Sequence, residues 1–246
     1  MTKFLTTNEH YLRKMKINER KEFIINLLKT THFASVTYLS EKTFTSPSSI
    51  RRDLTELEKA GIVKRSYGGA TLIDGDEVAP PIFIRKDKNR ISKRNIALKA
   101  STLLKDGMTV ILDGSTTAFY MLPHIAERKD MTVITNSLLT ANTATEYGLK
   151  VYSTGGYSEQ GSPVLIGTYA QETLNKMMAD IAFFSSLAIS DDGIVSDCNE
   201  NENKIRKIII ERAKIKVLLM DNSKKHKSSL HVLCSLSDVD YFFSED

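Results

Sequence analysis

Residues 45–72 read TSPSSIRRDLTELEKAGIVKRSYGGATL. Ser46 followed by Pro47 is a helix start: a hydroxyl able to cap free amides, then a ring whose fixed φ suits the first helical position. Ile50, Leu54 and Leu57 recur at helical spacing, and Gly61 supplies the stop. Ser48, Ser49, Arg51, Arg52 and Thr55 fall off that apolar stripe. Beyond Gly61, IVKRSYGGATLI predicts a strand, a glycine turn at Gly68-Gly69 and a second strand.

Working outward, the chain from Glu19 to Thr31 is helical in pattern, with Ile24, Leu27 and Leu28 on one face and Phe23 nearby. ASVTYLSEKT (Ala34–Thr43) is a short element that places Val36, Leu39 and Tyr38 inward. Helix, helix, helix and hairpin is the order of a winged helix-turn-helix. In such a module the N-terminal residues of the third helix meet base edges in the major groove. Short hydroxyls at Ser46, Ser48, Ser49 and Thr55 can bond phosphates or bases, and Arg51 and Arg52 can pair with guanine. Lys64, Arg65 and Tyr67 on the hairpin would meet flanking phosphates. The bland alternative is a solvated helix whose arginines pair with Asp53 or Glu56. Charge placement argues against it. Residues 1–74 hold 13 Lys and Arg against 8 Asp and Glu, while the remaining residues hold 21 against 22. The positive charge of a chain of net charge +4 is therefore concentrated where the helical motif lies, as a polyanion-binding module requires.

SPSSIRRDLTELEKAGIVKRSYGGA resembles the N-terminal signature of the DeoR family of bacterial transcriptional regulators. That family carries a Ser-x-x-Thr-Ile-Arg-Arg-Asp-Leu recognition helix and an Arg-x-x-Gly-Gly-Ala wing. Ser46, Ser49, Arg51, Arg52, Arg65, Gly68 and Gly69 stand at matching positions, with Ser49 where threonine is usual. The resemblance implies a partner in double-stranded operator DNA. It extends over nearly the whole chain.

Residues 1–74 are thus expected to form a DNA-binding domain, 75–90 a Pro-Pro-containing linker, and 91–246 a second domain. In the last region short apolar strands (MTVILDG, MTVITNS, KVYSTGG, IAFFSSLAI, IKVLLMD) alternate with helical stretches. That alternation predicts an α/β fold with a parallel sheet covered on both faces. STTAFYMLPHIAE is expected to open as one helix.

Ligands of such sheets bind at the carboxyl ends of strands. Asp113 and Gly114 end one strand. Ser115, Thr116 and Thr117 fall at the next helix start, where free amides favour an anion. Asn136 and Ser137 end a second strand, Gly155 and Gly156 a third. A bland alternative makes Ser115 a cap and the glycines turns. The family resemblance implies an effector domain similar to ribose-5-phosphate isomerase and glucosamine-6-phosphate deaminase, and a phosphorylated sugar as effector. It further implies that Glu202 takes sugar hydroxyls and Lys224 the phosphate. Ser115, Ser185 and Ala188 stand where the family often has glycine, and Arg206 where it has lysine.

Other chemistry finds little support. Asp191 and Asp192 in ISDDG are candidates for an isomerase base, with exposed turn residues the stronger reading. His124, His226 and His231 form no triad or metal spacing. No metal or cofactor is expected. Cys198 and Cys234 lie in no ligand spacing and are expected to be reduced thiols. No apolar run suits a membrane span, and the N-terminus does not resemble a signal peptide, so a cytoplasmic protein is expected. Paired operator half-sites imply a homodimer or homotetramer. The alternatives are a DNA-binding protein whose second domain only oligomerises, and a sugar-phosphate isomerase.

Overall fold

The computed structural model describes residues 17–31, 33–66, 68–73, 82–159 and 162–245. They divide between Asp87 and Lys88 into two compact units.

The first unit holds α1 (Ile17–Thr31), β1 (Phe33–Ser35), α2 (Val36–Thr43), α3 (Pro47–Lys59), β2 (Val63–Ser66), β3 (Gly69–Leu72) and α4 (Ile82–Asp87). Ile24, Leu28, Leu39, Ile50, Leu54, Leu57 and Val63 form its core, each with no more than about one per cent of its surface exposed. Ser46 caps α3 by accepting from the Ser49 amide, and Pro47 occupies the first turn, as their order in sequence predicts. Ser35 caps α2 in the same way through the Tyr38 amide. Tyr38 itself is 36% exposed, contrary to the inward placement expected of it, and Lys42 lies over its ring. Helical geometry explains the difference. Val36 and Leu39 share a face, and Thr37 and Tyr38 between them point away. Part of the expected linker is helical: α4 packs on α1, and the Asn18 amide donates to Asp87 at 2.5 Å. Residues 74–81 lie outside the described residues.

β1 adds a strand that periodicity did not announce. It pairs antiparallel with β3, giving the order β1-β3-β2 and tying the wing to the helical core. Gly69 makes this possible. A Cβ there would sit 2.4 Å from the Ala34 carbonyl oxygen and 2.6 Å from the Phe33 ring. Gly69→Ala is therefore expected to destabilise the first unit by about 1–3 kcal/mol through forced separation of β1 and β3. Urea unfolding of the variant measures it, and an unchanged midpoint would refute the close approach.

The second unit begins with α5 (Arg90–Ala100). It continues through β4 (Thr109–Leu112), α6 (Thr116–Phe119), α7 (Leu122–Ala126), β5 (Thr132–Thr135), α8 (Leu138–Glu146) and β6 (Lys150–Ser153). Next come β7 (Tyr157–Ser158), β8 (Leu165–Ile166), α9 (Thr168–Asn175), β9 (Ala179–Phe184), β10 (Ala188–Ile189) and β11 (Ile194–Asp197). The unit ends with α10 (Glu200–Glu211), β12 (Ala213–Leu219), β13 (His231–Ser235) and β14 (Tyr241–Phe243). Six strands form one parallel sheet, β14-β12-β9-β4-β5-β6. Apolar residues pack on both faces: Val110, Leu112, Val133 and Phe183 on one, Ile111, Ile134 and Ala182 on the other. Strand order runs outward from β4 to β5 and β6 on one side, and from β9 to β12 and β14 on the other. The reversal between β4 and β9 opens a crevice at the strands' carboxyl ends.

Two details depart from the sequence expectation. STTAFYMLPHIAE forms two short helices, because Pro123 lacks an amide and its ring excludes a continuous helix through Phe119. A separate antiparallel sheet, β10-β11-β13, also appears. Its strands are too short, and too mixed in polarity, to stand out as alternation. Cys234 lies on β13, where burial and then Asp238 push its thiol up to about 11. The thiol therefore stays protonated and unreactive at neutral pH.

Candidate nucleic-acid interface and ligand pocket

In the first unit the acids that the bland reading would pair with the arginines of α3 are taken by α1. Arg20 holds Asp53 in a buried two-point ion pair, Nε–Oδ2 2.5 Å and Nη2–Oδ1 3.0 Å. Lys21 pairs with Glu56. Arg51 and Arg52 are exposed, and neither guanidinium has a hydrogen-bond or ion-pair partner among the described residues. Ser46 and Ser48 are exposed beside them, with hydroxyl oxygens 3.0 Å apart; Ser49 is half-buried and its hydroxyl is likewise 3.0 Å from that of Ser46. Two bare guanidinium groups and a run of hydroxyls thus mark one end of α3.

Thr55 and Arg65 behave differently. The Thr55 hydroxyl donates to the Arg51 carbonyl and accepts from Arg65 Nη1 at 2.8 Å. Arg65 Nε lies 2.6 Å from Glu58 Oε2, and its amide donates to the same carboxylate. These bonds from the Arg65 amide and side chain hold the Glu58 carboxyl below its ordinary value. The two residues brace β2 against α3. Lys64 is exposed on β2. Gly68 forms the wing turn, its carbonyl accepting from the Val36 amide at 2.7 Å, and Gly69 follows in β3. Tyr67 lies outside the described residues.

In the second unit the strand-end residues gather at neighbouring carboxyl ends of β4, β5 and β6. Asp113, Ser115, Thr116, Thr117, Asn136 and Ser137 are all buried. Several have internal roles. Ser115 caps α6 and Ser137 caps α8. α6 is a single turn, so the helix-end attraction expected at Ser115–Thr117 is much weaker than for a full helix. Gly114 packs under Val164 and Gly155 turns the chain after β6. Gly156 has φ +106°, and a Cβ there would lie 2.3 Å from the Ile166 carbonyl.

Arg206 organises the floor. It is buried on α10 and donates to Asp113 (3.0 Å), Asp197 (2.9 Å), Asn203 (3.3 Å) and Glu202 (2.7 Å). Burial pushes against its charge, but Asp197, Glu202 and Asp113 outweigh that and hold the guanidinium charged well above its ordinary range. Burial likewise pushes the Asp197 carboxyl up. Arg206, then the Asn199 and Cys198 amides and Lys224, bring it below the usual carboxylate value. Asp113 also accepts from the Ser115 and Ser185 amides. Both of its oxygens are therefore engaged within the unit, which makes it a strut. Glu202 keeps only Oε2 on Arg206. Lys224 Nζ is 2.8 Å from the Ser185 hydroxyl. The sequence does not single out Asp197 or Asn203, and it marks Arg206 only as a departure from the family's lysine. The signal was present in Glu202 and Arg206 at i and i+4, and in an aspartate ending an apolar strand.

Among the described residues of the second unit, two groups remain unmatched. Thr117 Oγ1 and Asn136 Oδ1 are buried with no hydrogen-bond partner. Such groups cost about 1–3 kcal/mol each unless a ligand or water meets them. Asn136 directly follows β5, and Thr117 lies on α6, the helix that follows the adjacent strand β4, on the side of such a sheet where ligands bind.

Comparison with known proteins gives the lineage. Residues 88–246 match the DeoR C-terminal sensor domain, and residues 20–76 the DeoR-like helix-turn-helix domain. The chain belongs to the DeoR family. This DeoR-family chain is 32% identical over 232 residues to the putative aga operon transcriptional repressor of Escherichia coli O157:H7, covering 93% of this chain and 86% of that one. It is 27% identical over 232 residues to the glycerol-3-phosphate regulon repressor of Escherichia coli K12, covering 94% and 92%. Among solved structures it is similar to ribose 5-phosphate isomerase A of Methanocaldococcus jannaschii, with TM-score 0.43, 21% identity and coverage of 56% and 55%. The DeoR-family chain is a DNA-binding transcription regulator, not an enzyme. Asp191 and Asp192 fit that conclusion, since both lie in an exposed turn held by His226 and Ser190. No described helix is long and apolar enough to cross a membrane.

Proposed function

We propose that this chain is a cytoplasmic repressor of carbohydrate-metabolism genes that a phosphorylated sugar releases from its operator. In this scheme residues 1–74 bind DNA, residues 91–246 bind the effector and assemble a dimer or tetramer, and the segment between them connects the two. The observation that carries the effector half is the pair of unpartnered buried groups, Thr117 Oγ1 and Asn136 Oδ1. The names of the two relatives, an aga operon repressor and a glycerol-3-phosphate regulon repressor, support the direction of control and the ligand class. Glu202 Oε1 and Asn136 Oδ1 would accept from hydroxyls, and Lys224 would leave Ser185 for the phosphate. Release follows if the ligand binds the off-DNA arrangement more tightly, by the margin of that preference.

Melting temperature against a panel of sugar phosphates and their unphosphorylated parents tests the scheme. A rise with one phosphorylated sugar supports it, because a ligand bound only to the folded chain stabilises by mass action. No rise across the panel would favour a second unit that only oligomerises. Thr117→Val gives a sharper check. Removing an orphaned hydroxyl while keeping its shape is expected to leave the free protein as stable or up to about 1 kcal/mol more stable, and to weaken the ligand-induced rise. A loss of stability in the free protein would mean that the hydroxyl has a structural partner.

A further inference from the structure

Four non-glycine residues in the described structure have positive φ: Phe44, Asn89, Asp130 and His226. Asn, Asp and His are the side chains that visit this region most readily. Phe44 is the exception. At φ 50° and ψ 40° it closes α2 in a left-handed conformation that crowds a bulky side chain. Its neighbours fix that conformation. The Ser40 hydroxyl donates to the Thr45 carbonyl at 2.5 Å, the Thr45 amide donates to Ser40 O at 3.1 Å, and the Phe44 amide donates to Glu41 O. The ring gains no burial in return, since Phe44 is 70% exposed. The backbone strain opposes folding and the exposed aromatic returns little burial to offset it, at a position where Asn or Gly would relieve the strain.

The ring's location gives it a use. Phe44 stands two residues before Ser46, the cap of α3, at the end of that helix that also carries exposed Ser48 and the bare Arg51 and Arg52. We propose that Phe44 is a DNA-contacting, specificity-determining residue, its ring packing against thymine methyl groups or an exposed base edge beside the bases met by α3. The inference rests on DNA binding by the first unit.

Phe44→Asn separates recognition from folding, because the two predict opposite signs. The test compares wild type and variant, as full-length chains, on duplexes that the wild type enriches from a random-sequence pool. Expected is a melting temperature equal to or a few degrees above wild type, with affinity reduced roughly 5- to 20-fold. Re-selection with the variant should relax preference at one or two base pairs in each half-site. Affinity within twofold of wild type with unchanged base preferences would overturn the proposal. So would a changed oligomeric state at unchanged DNA affinity, which would make the ring a protein contact. A wild type that enriches no duplex would instead sink DNA recognition itself.

Discussion

Arg206→Met should cost the second unit about 3–5 kcal/mol at neutral pH, a large share of a typical domain's stability. The guanidinium is buried, and three carboxylates, on Asp113, Asp197 and Glu202, face it. Methionine fills much of the volume but leaves those groups without their counter-charge. The pH dependence identifies the mechanism. In the wild type the folded Asp197 value lies below its unfolded value. Its contribution is therefore complete above the unfolded value, near 4, and fades as pH falls through the folded value. In the variant the Asp197 carboxyl keeps the burial that pushes it up and loses Arg206, the largest of the influences that bring it down, so its folded value moves upward. The gap to wild type therefore narrows as pH falls. Urea unfolding at three pH values measures this. A gap independent of pH would show that lost packing, not unpaired charge, is the cause. Arg206→Lys should recover only part of the loss, since a single ammonium cannot reach all three acceptor carboxylates, on Asp113, Asp197 and Glu202.

Arg52→Ala should lower affinity for the selected duplex by at least about thirtyfold if two copies bind paired half-sites, because each base-contacting arginine contributes roughly 1–3 kcal/mol. Stability should change by less than about 0.5 kcal/mol, as the side chain is exposed and unpartnered among the described residues. Fluorescence anisotropy at fixed ionic strength, with thermal unfolding alongside, measures both. Affinity within threefold of wild type would remove Arg52 from the interface. Arg65→Ala gives an informative contrast. It loosens the wing, because Arg65 is bound to Glu58 and Thr55 before any DNA arrives.

Local rules made the first unit legible. The Ser46-Pro47 start, the Ile50-Leu54-Leu57 stripe and the Gly68-Gly69 turn each act over a few residues. The parallel sheet was legible too, because its strands are short, apolar and separated by helices. Side-chain partnership across the fold was not. Nothing in RRD or ENENKIR indicates that Asp53 turns to Arg20, 33 residues away, or that Arg206 reaches Asp113, 93 residues away. The expected site residues accordingly divide. Thr117 and Asn136 keep unmet polar atoms, Glu202 keeps one open oxygen, and Asp113 is used up within the protein. Tyr38 failed for a local reason, since one position around a helix separates inside from outside.

The added strand β1 has a mechanical consequence. It is hydrogen-bonded to the wing along β3 and leads directly into α2, while Arg65 straps β2 to α3. α3 and the hairpin are thus joined into one piece by described contacts on both sides. A signal has little purchase on the shape of such a piece. In the proposed scheme, with two such pieces in one oligomer, the effector would act on the distance and angle between them, and so on the gauge of a pair of rigid jaws against the pitch of the double helix.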